Sequence, residues 1–97
     1  MLTATGNINQ QYSVIGVVNV TVARGMEKAG CLKPDVLPVN AAYRDATSAL
    51  VDAARESGAD GVIHIGYDYR MASRSMGCNN TQPLFEVYAW GTAIRLL

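Results

Sequence analysis

The sequence predicts one small α+β domain over residues 1–97, with the element order strand, helix, strand, strand. An amphipathic helical pattern in the middle of the chain and three β-branched or apolar segments around it support this fold class. Ninety-seven residues suit a single domain, because domains usually contain about 50 to 250 residues. We predict a three-stranded antiparallel sheet with the last strand central and one helix packed on one face.

The helix is predicted from about Ala41 to Ser57. Pro38 and Asn40 supply a helix breaker and an N-cap residue before it, and Gly58 stands where a left-handed C-terminal cap is expected. Small or apolar residues recur at spacings of three and four and form one stripe: Ala42, Ala46, Ala49, Leu50 and Ala53. Because the stripe is mostly alanine, the helix should lie close to the sheet.

Three segments are predicted as strands: Tyr12–Ala23, Gly61–Tyr69 and Leu84–Leu97. The first contains Gly16, which indicates a bulge or a close approach. The second alternates, which places Ile63, Ile65, Tyr67 and Tyr69 on one face and Val62, His64, Gly66 and Asp68 on the other. The third is apolar on both faces, as is typical of a central strand. The stretches from Arg24 to Val39 and from Met71 to Pro83 are predicted as long loops.

Composition narrows the range of functions. Eight basic and eight acidic residues cancel, and no Lys/Arg cluster is present, so nucleic-acid binding is not expected. No apolar run is long enough for a membrane span and no signal-peptide pattern is present, so we expect a cytoplasmic protein. Charged residues make up only 16% of the chain, against about 25% in average domains. This deficit suggests that a partner covers part of the surface.

The predicted sheet is incompletely covered in a monomer, because one helix can cover only one of its faces. The second face is predicted to carry Val14, Val18, Tyr88 or Trp90. Large exposed apolar patches usually mark interfaces, so we expect the chain to form a closed homo-oligomer.

Short motifs along the chain resemble the YbjQ-like family, a group of bacterial domains called putative heavy-metal-binding proteins. The motifs are, in order, Thr5-Gly6-Asn7-Ile8, Gly16-Val17-Val18, Tyr43, Gly58-Ala59-Asp60, Asp68-Tyr69 and Gly91-Thr92-Ala93. The resemblance implies a dodecin-like β-α-β-β subunit and a ring-shaped homo-oligomer, most often a pentamer. It implies no catalytic residue, because the family has no established one.

The chain departs from the family pattern in two places. The family usually carries a Phe- and Gly-rich segment before the helix, where this chain has Arg24-Gly25-Met26-Glu27-Lys28-Ala29-Gly30-Cys31. A small residue, often glycine, is usual where this chain has His64. Both departures bear on whether this chain shares a ligand with the family.

The candidate metal ligands are Cys31, Cys78 and His64, since thiolates and imidazole bind soft or transition metals. The alternative for His64 is a hydrogen-bonded interface residue, and for each cysteine an ordinary loop side chain. Asp68 is the carboxylate in the second strand and a candidate oxygen ligand. It could instead cap the strand end or pair with Arg70.

Aromatic residues offer a different site. Trp90 and Tyr88 could stack on a flavin-like cofactor, with Gly91 leaving room beside Trp90. The alternative is that these rings are ordinary core or interface residues. No Gly-x-Ser-x-Gly, phosphate-binding glycine loop or His-Glu-x-x-His motif is present, so no enzyme activity is predicted. The sequence therefore favours a non-enzymatic binding or scaffold domain that binds a heavy or transition metal, or else a small-molecule carrier.

Overall fold

The structure, a computed structural model, describes residues 1–25, 39–75, 77 and 81–97. Its elements, in chain order, are β1 (Leu2–Thr3), β2 (Tyr12–Gly25), α1 (Val39–Glu56), β3 (Gly61–Ser75) and β4 (Thr81–Leu96). They form one four-stranded sheet in the order β1-β3-β4-β2. The α+β class, the single helix and the central position of the last strand agree with the sequence prediction.

The number of strands was predicted wrongly. β1 adds a fourth strand that pairs in parallel with β3, so the sheet is not purely antiparallel. Backbone hydrogen bonds continue this pairing beyond β1, from the N–H of Ile65 to the carbonyl oxygen of Ala4 and from the N–H of His64 to that of Gly6. A two-residue strand carries too little periodicity to be recognised in the sequence.

The predicted loop from Met71 to Pro83 is also partly wrong. β3 continues to Ser75 and β4 begins at Thr81, with Ser75 opposite Thr81 in the ladder. Most side chains of these strand ends are exposed, and most are polar. Residues 76 and 78–80, and most of the other predicted loop, residues 26–38, lie outside the described residues.

The helix forms as its periodicity predicts. Ala42, Ala46, Leu50 and Ala54 are fully buried against the sheet. Gly58 has a φ of 84°, and the N–H groups of Gly58 and Ala59 donate to the carbonyl oxygens of Arg55 and Ala54. This is a Schellman cap, which satisfies two of the last free carbonyl groups of the helix.

The core lies between α1 and one face of the sheet, here called the inner face. The buried side chains on this face are Val62, Ile65, Phe85, Val87, Ala89 and Ala93, with Val18, Val20, Val22, Tyr43 and Tyr67 packed at the margin. We call the opposite side of the sheet the outer face. α1 lies mainly over β2 and β4, and contacts β3 less.

Two bulges determine which residues reach each face. In β2 an extra residue between Val14 and Gly16 places Val18 on the inner face, so the prediction that Val18 lies on the uncovered face was wrong. In β3 the register shifts between Ile63 and Gly66. Since one added residue reverses the alternation, Ile63 lies on the outer face while Ile65 lies on the inner face. The predicted row of Ile63 with Ile65 was therefore wrong.

Candidate functional site

The β3 bulge contains His64, whose side chain is exposed and whose φ is 54°. Left-handed backbone is uncommon for a residue with a side chain, and glycine adopts it most easily. This geometry explains why a small residue suits this position. The His64 N–H donates to the carbonyl oxygen of Gly6 at 3.2 Å, so the bulge also holds the amino-terminal segment against β3.

The described residues do not form a metal centre. Cys31 and Cys78 lie outside them, and His64 is the third candidate ligand. Within residues 1–25, 39–75, 77 and 81–97, no group of three or more His, Cys, Asp or Glu side chains is arranged to hold a metal ion. The donors that the structure describes therefore do not by themselves fit a metal.

Asp68 lies in the middle of β3 rather than at a strand end. Its Oδ1 accepts a hydrogen bond from the N–H of Tyr69 at 2.8 Å. The predicted pairing of Asp68 with Arg70 was wrong, because Arg70 donates from Nε to Glu86 Oε2 on β4 at 2.7 Å. One carboxylate oxygen of Asp68 is therefore engaged in a hydrogen bond with the adjacent backbone.

Arg70, Glu86 and Tyr88 form a polar cluster on the outer face. The Tyr88 hydroxyl donates to Glu86 Oε2 at 3.1 Å, and the Arg70 guanidinium carbon lies 5.8 Å from the centre of the Tyr88 ring. The hydrogen bond from Arg70 holds the pKa of the Glu86 carboxyl below its ordinary value of 4.5. The same bond raises the pKa of Arg70. The Arg70 guanidinium therefore covers one face of the Tyr88 ring.

Trp90 lies on the same face, two residues further along β4, and is 43% exposed. A Cβ atom built on Gly66 would lie 2.6 Å from Cε2 of the indole, so the ring lies directly over Gly66. The sequence suggested Gly91 as the source of space, but Gly91 is buried on the inner face. The space for Trp90 is provided by Gly66, on the neighbouring strand. The exposed part of the indole is accessible to a ligand.

Replacing Gly66 with alanine is expected to push the Trp90 ring off the sheet. The added Cβ would overlap the indole, and the ring can relieve this overlap only by turning toward solvent. We expect a red-shifted tryptophan emission and a loss of about 1–3 kcal/mol in the free energy of unfolding. Gly6→Ala is the matched control, because its Cβ would meet no atom within 4 Å. Unchanged emission in Gly66→Ala would contradict the described ring position.

The described residues line two clefts on the helix side of the sheet. One, of about 550 Å³, lies between the amino-terminal segment and α1 and is lined by Thr3, Ala4, Thr5, Gly6, Asn7, Thr47, Ile65 and Tyr67. The other, of about 430 Å³, is apolar and is lined by Val39, Tyr43, Tyr69, Met71 and Phe85. Neither cleft has a charged side chain among these lining residues. The sequence analysis identified neither, because each joins residues that are distant in the chain.

In the first of these clefts, the direction of the hydrogen bond between Thr47 and Tyr67 is determined by another contact of Thr47. The Thr47 hydroxyl donates to the carbonyl oxygen of Tyr43 at 2.9 Å, which uses its one hydrogen. The Tyr67 hydroxyl, 2.6 Å from Thr47 Oγ1, must then be the donor in that contact. Its oxygen retains acceptor capacity.

The carboxyl-terminal part of the chain matches a known family. The model of the family YbjQ_1, described as "Putative heavy-metal-binding", matches residues 36–97, which is more than half of the chain. The chain belongs to this family. The family resemblance seen in the sequence motifs is therefore confirmed. The description of the YbjQ family names heavy-metal binding but does not say which residues of this chain would be the ligands.

A solved structure extends the likeness to the whole chain. A crystal structure of a protein of unknown function from Pediococcus pentosaceus, a member of the DUF74 family, has a TM-score of 0.71 with this chain. The two are 20% identical, and the superposition covers 100% of this chain and 98% of that chain. This likeness shows the fold. A comparison with curated proteins gave no match. In the described part of the chain, no helix is sufficiently long and apolar to cross a membrane.

Proposed function

We propose that this YbjQ-family protein is a non-enzymatic, cytoplasmic, homo-oligomeric binding or scaffold domain, assembled as a ring of the dodecin-like kind and most simply as a pentamer. The observation that carries the proposal is the outer face of the sheet, which no described helix covers. Ile63 and Ile94 on this face are buried, but Val14, Val17 and Trp90 are exposed and a folded monomer would leave them in water. A second copy of the chain is the partner that such a face fits.

The apolar part of the outer face lies at one end of the sheet. Val14 and Val17 on β2 are 62% and 74% exposed. Trp90 on β4 lies opposite Asn19 and therefore diagonally across the ladder from Val17. The other end carries the Arg70, Glu86 and Tyr88 cluster. An apolar patch with a polar margin has the composition of an interface between proteins.

The overall dimensions also favour assembly. The chain exposes 6365 Å², whereas a compact monomer of 10.4 kDa would expose about 5,400 Å². The Cα radius of gyration is 16.8 Å, against about 12.5 Å expected for a compact domain of this length. A chain that is more extended than a compact monomer leaves more of its surface available to a partner.

Metal binding is the second part of the proposal and is supported by the family description. We propose that Cys31, Cys78 and His64 supply the ligands, within one chain or between neighbouring copies. Thiolate and imidazole donors suit heavy and transition metals. A ring repeats His64 once per subunit, so ligands from different copies can combine.

A planar ligand, flavin-like in shape, is the alternative, and the exposed indole of Trp90 favours it. Tyr88 is a weaker partner in this role, because the Arg70 guanidinium already lies over its ring. A bound flavin would quench Trp90 emission, whereas a metal bound by cysteine and histidine would change emission only indirectly.

Native mass spectrometry of freshly purified, untagged protein tests the proposal. We expect a ring of several subunits, and an added mass equal to a metal ion would support metal binding. An added mass equal to a flavin would favour the carrier. A monomer across the micromolar range would overturn the homo-oligomer.

The ligands are tested on the same assembly with added zinc or cadmium. His64→Asn removes the imidazole yet keeps a residue that tolerates left-handed backbone, so backbone strain is not added. This variant is combined with Cys31→Ser and Cys78→Ser, while Ser48→Ala on the exposed side of α1 is the control. Metal stoichiometry that is unchanged in the triple variant would exclude these three residues as ligands.

A further inference from the structure

We propose that the subunits join edge to edge, with the free edge of β2 in one copy pairing with the free edge of β3 in the next copy. This inference rests on the homo-oligomer proposed above and adds to the outer face a second contact, between two strand edges. Each subunit would use two different edges, so the contact is head-to-tail and closes into a ring.

The free edge of β2 is long and unprotected. β2 is an outermost strand of 14 residues, and among the described residues only β4 pairs with it, along one edge. Natural edge strands are usually guarded by lysine, proline or short length. β2 contains neither lysine nor proline, and its one charged residue, Arg24, forms an ion pair with Asp45 of α1 at 2.6 Å. The backbone of β2 is therefore available to another strand.

The free edge of β3 begins where the pairing with the amino-terminal segment stops. That pairing reaches Ile65, and among the described residues no strand lies beside this edge from Gly66 to Ser75. The arginines of this stretch do not guard it, because Arg70 bonds to Glu86 and Arg74 to Gln82, both on β4. Their side chains reach toward β4 and away from the free edge.

An apolar surface accompanies the free edge of β3. Tyr69 and Met71 are 59% and 50% exposed, and both line the 430 Å³ apolar cleft on the helix side of the sheet. This side of the cleft is open because α1 lies mainly over β2 and β4. A neighbouring β2 placed along β3 would bring its own α1 beside the cleft and bury both side chains.

Strand direction is consistent with this arrangement. β2 and β3 are each antiparallel to β4, so they run parallel to one another. When β2 of one copy lies beside β3 of the next, these two strands also run parallel. Copies related by rotation about a ring axis require this parallel arrangement. A two-fold contact between two β2 edges would instead leave Tyr69, Met71 and the apolar cleft exposed.

A complementation experiment tests this pairing. One variant, Asn19→Lys with Thr21→Lys, places two lysines at exposed positions of β2; the other, Tyr69→Lys with Met71→Lys, places two at β3. Ser48→Lys with Glu56→Gln makes the same change of two charge units at exposed positions of α1 and is the control. By native mass spectrometry we expect the wild type and the control to form the same ring, and each edge variant alone to be monomeric.

The equimolar mixture of the two edge variants is expected to form a one-to-one dimer, because it retains one intact β2 edge and one intact β3 edge. A ring retained by either edge variant, or a mixture that stays monomeric while both variants are folded by circular dichroism, would overturn the edge pairing alone. A monomeric wild type would overturn the homo-oligomer as well.

Hydrogen exchange on the wild-type ring gives an independent reading that needs no variant. In a lone β2 strand, only alternate N–H groups bond to β4, so the other half exchange quickly. We expect consecutive amides to be protected in the ring over the part of β2 that lies along Gly66–Ser75 of the next copy, and alternate ones to lose protection on dilution to monomer. Fast exchange at alternate positions within the intact ring would refute the pairing even if a lysine variant failed to fold.

Discussion

Replacing Leu50 with alanine is expected to reduce the free energy of unfolding by about 2–5 kcal/mol. Leu50 is the largest of the buried residues on α1 and is fully buried. Its neighbours in the stripe, Ala46 and Ala54, are small, so no adjacent side chain can fill the space that the substitution leaves. Loss of the side chain therefore removes apolar burial and creates a cavity beneath the helix.

Thermal and urea denaturation measure this loss, at one fixed protein concentration because assembly contributes to apparent stability. We expect the melting temperature to fall by roughly 10 °C or more. Leu97→Ala makes the same chemical change at a side chain that is 81% exposed, so it should alter stability by less than about 0.5 kcal/mol. Equal effects of the two substitutions would mean that α1 does not cover the sheet as described.

The helix was the most predictable part of the fold, because its signals are local. The alanine stripe repeats at helical spacing, and Gly58 stands at the carboxyl end, where a left-handed residue is needed. Ala54, which is fully buried, extends the predicted stripe by one residue. Both features depend only on neighbours within a few positions along the chain.

The faces of β3 were less predictable, because they depend on a bulge. Strict alternation places Ile63 beside Ile65, but the inserted residue at His64 separates them onto opposite faces. Nothing in the alternating pattern marks a bulge at a histidine, although the family preference for a small residue at this position was a signal of left-handed backbone. β1 was missed for the related reason that it depends on a distant partner strand.

The candidate site could be predicted only in part. The sequence identified Trp90 as an aromatic with space beside it, but assigned that space to its neighbour Gly91. In a strand, adjacent residues face opposite sides, so the space has to come from the next strand, at Gly66. The apolar cleft at Tyr69 and Met71 could not be foreseen either, since those residues were divided between a predicted strand and a predicted loop.

Gly91→Ala is expected to destabilise the protein by about 1–3 kcal/mol, because it overpacks the core. A Cβ atom at Gly91 would lie 2.5 Å from Cγ1 of Val62 and 3.3 Å from Cγ1 of Ile65. The β3 bulge is what brings both of these side chains to the inner face. The absence of a side chain at Gly91 thus leaves room on β4 for Val62 and Ile65.

The free energies of unfolding of Gly91→Ala and Gly16→Ala are measured by denaturation and compared. The comparison separates the effect of steric overlap from the general effect of replacing a glycine in a strand. Gly16 lies opposite Ala93 on the neighbouring strand, and a Cβ there would meet no atom within 4 Å. We therefore expect Gly16→Ala to be neutral or slightly stabilising, since alanine reduces the entropy of the unfolded chain. Trimming the opposing side chain in the double variant Gly91→Ala with Val62→Ala should recover part of the loss, relative to the sum of the two single substitutions. Strict additivity would mean that the two residues do not touch, and that the bulge does not direct Val62 and Ile65 onto Gly91.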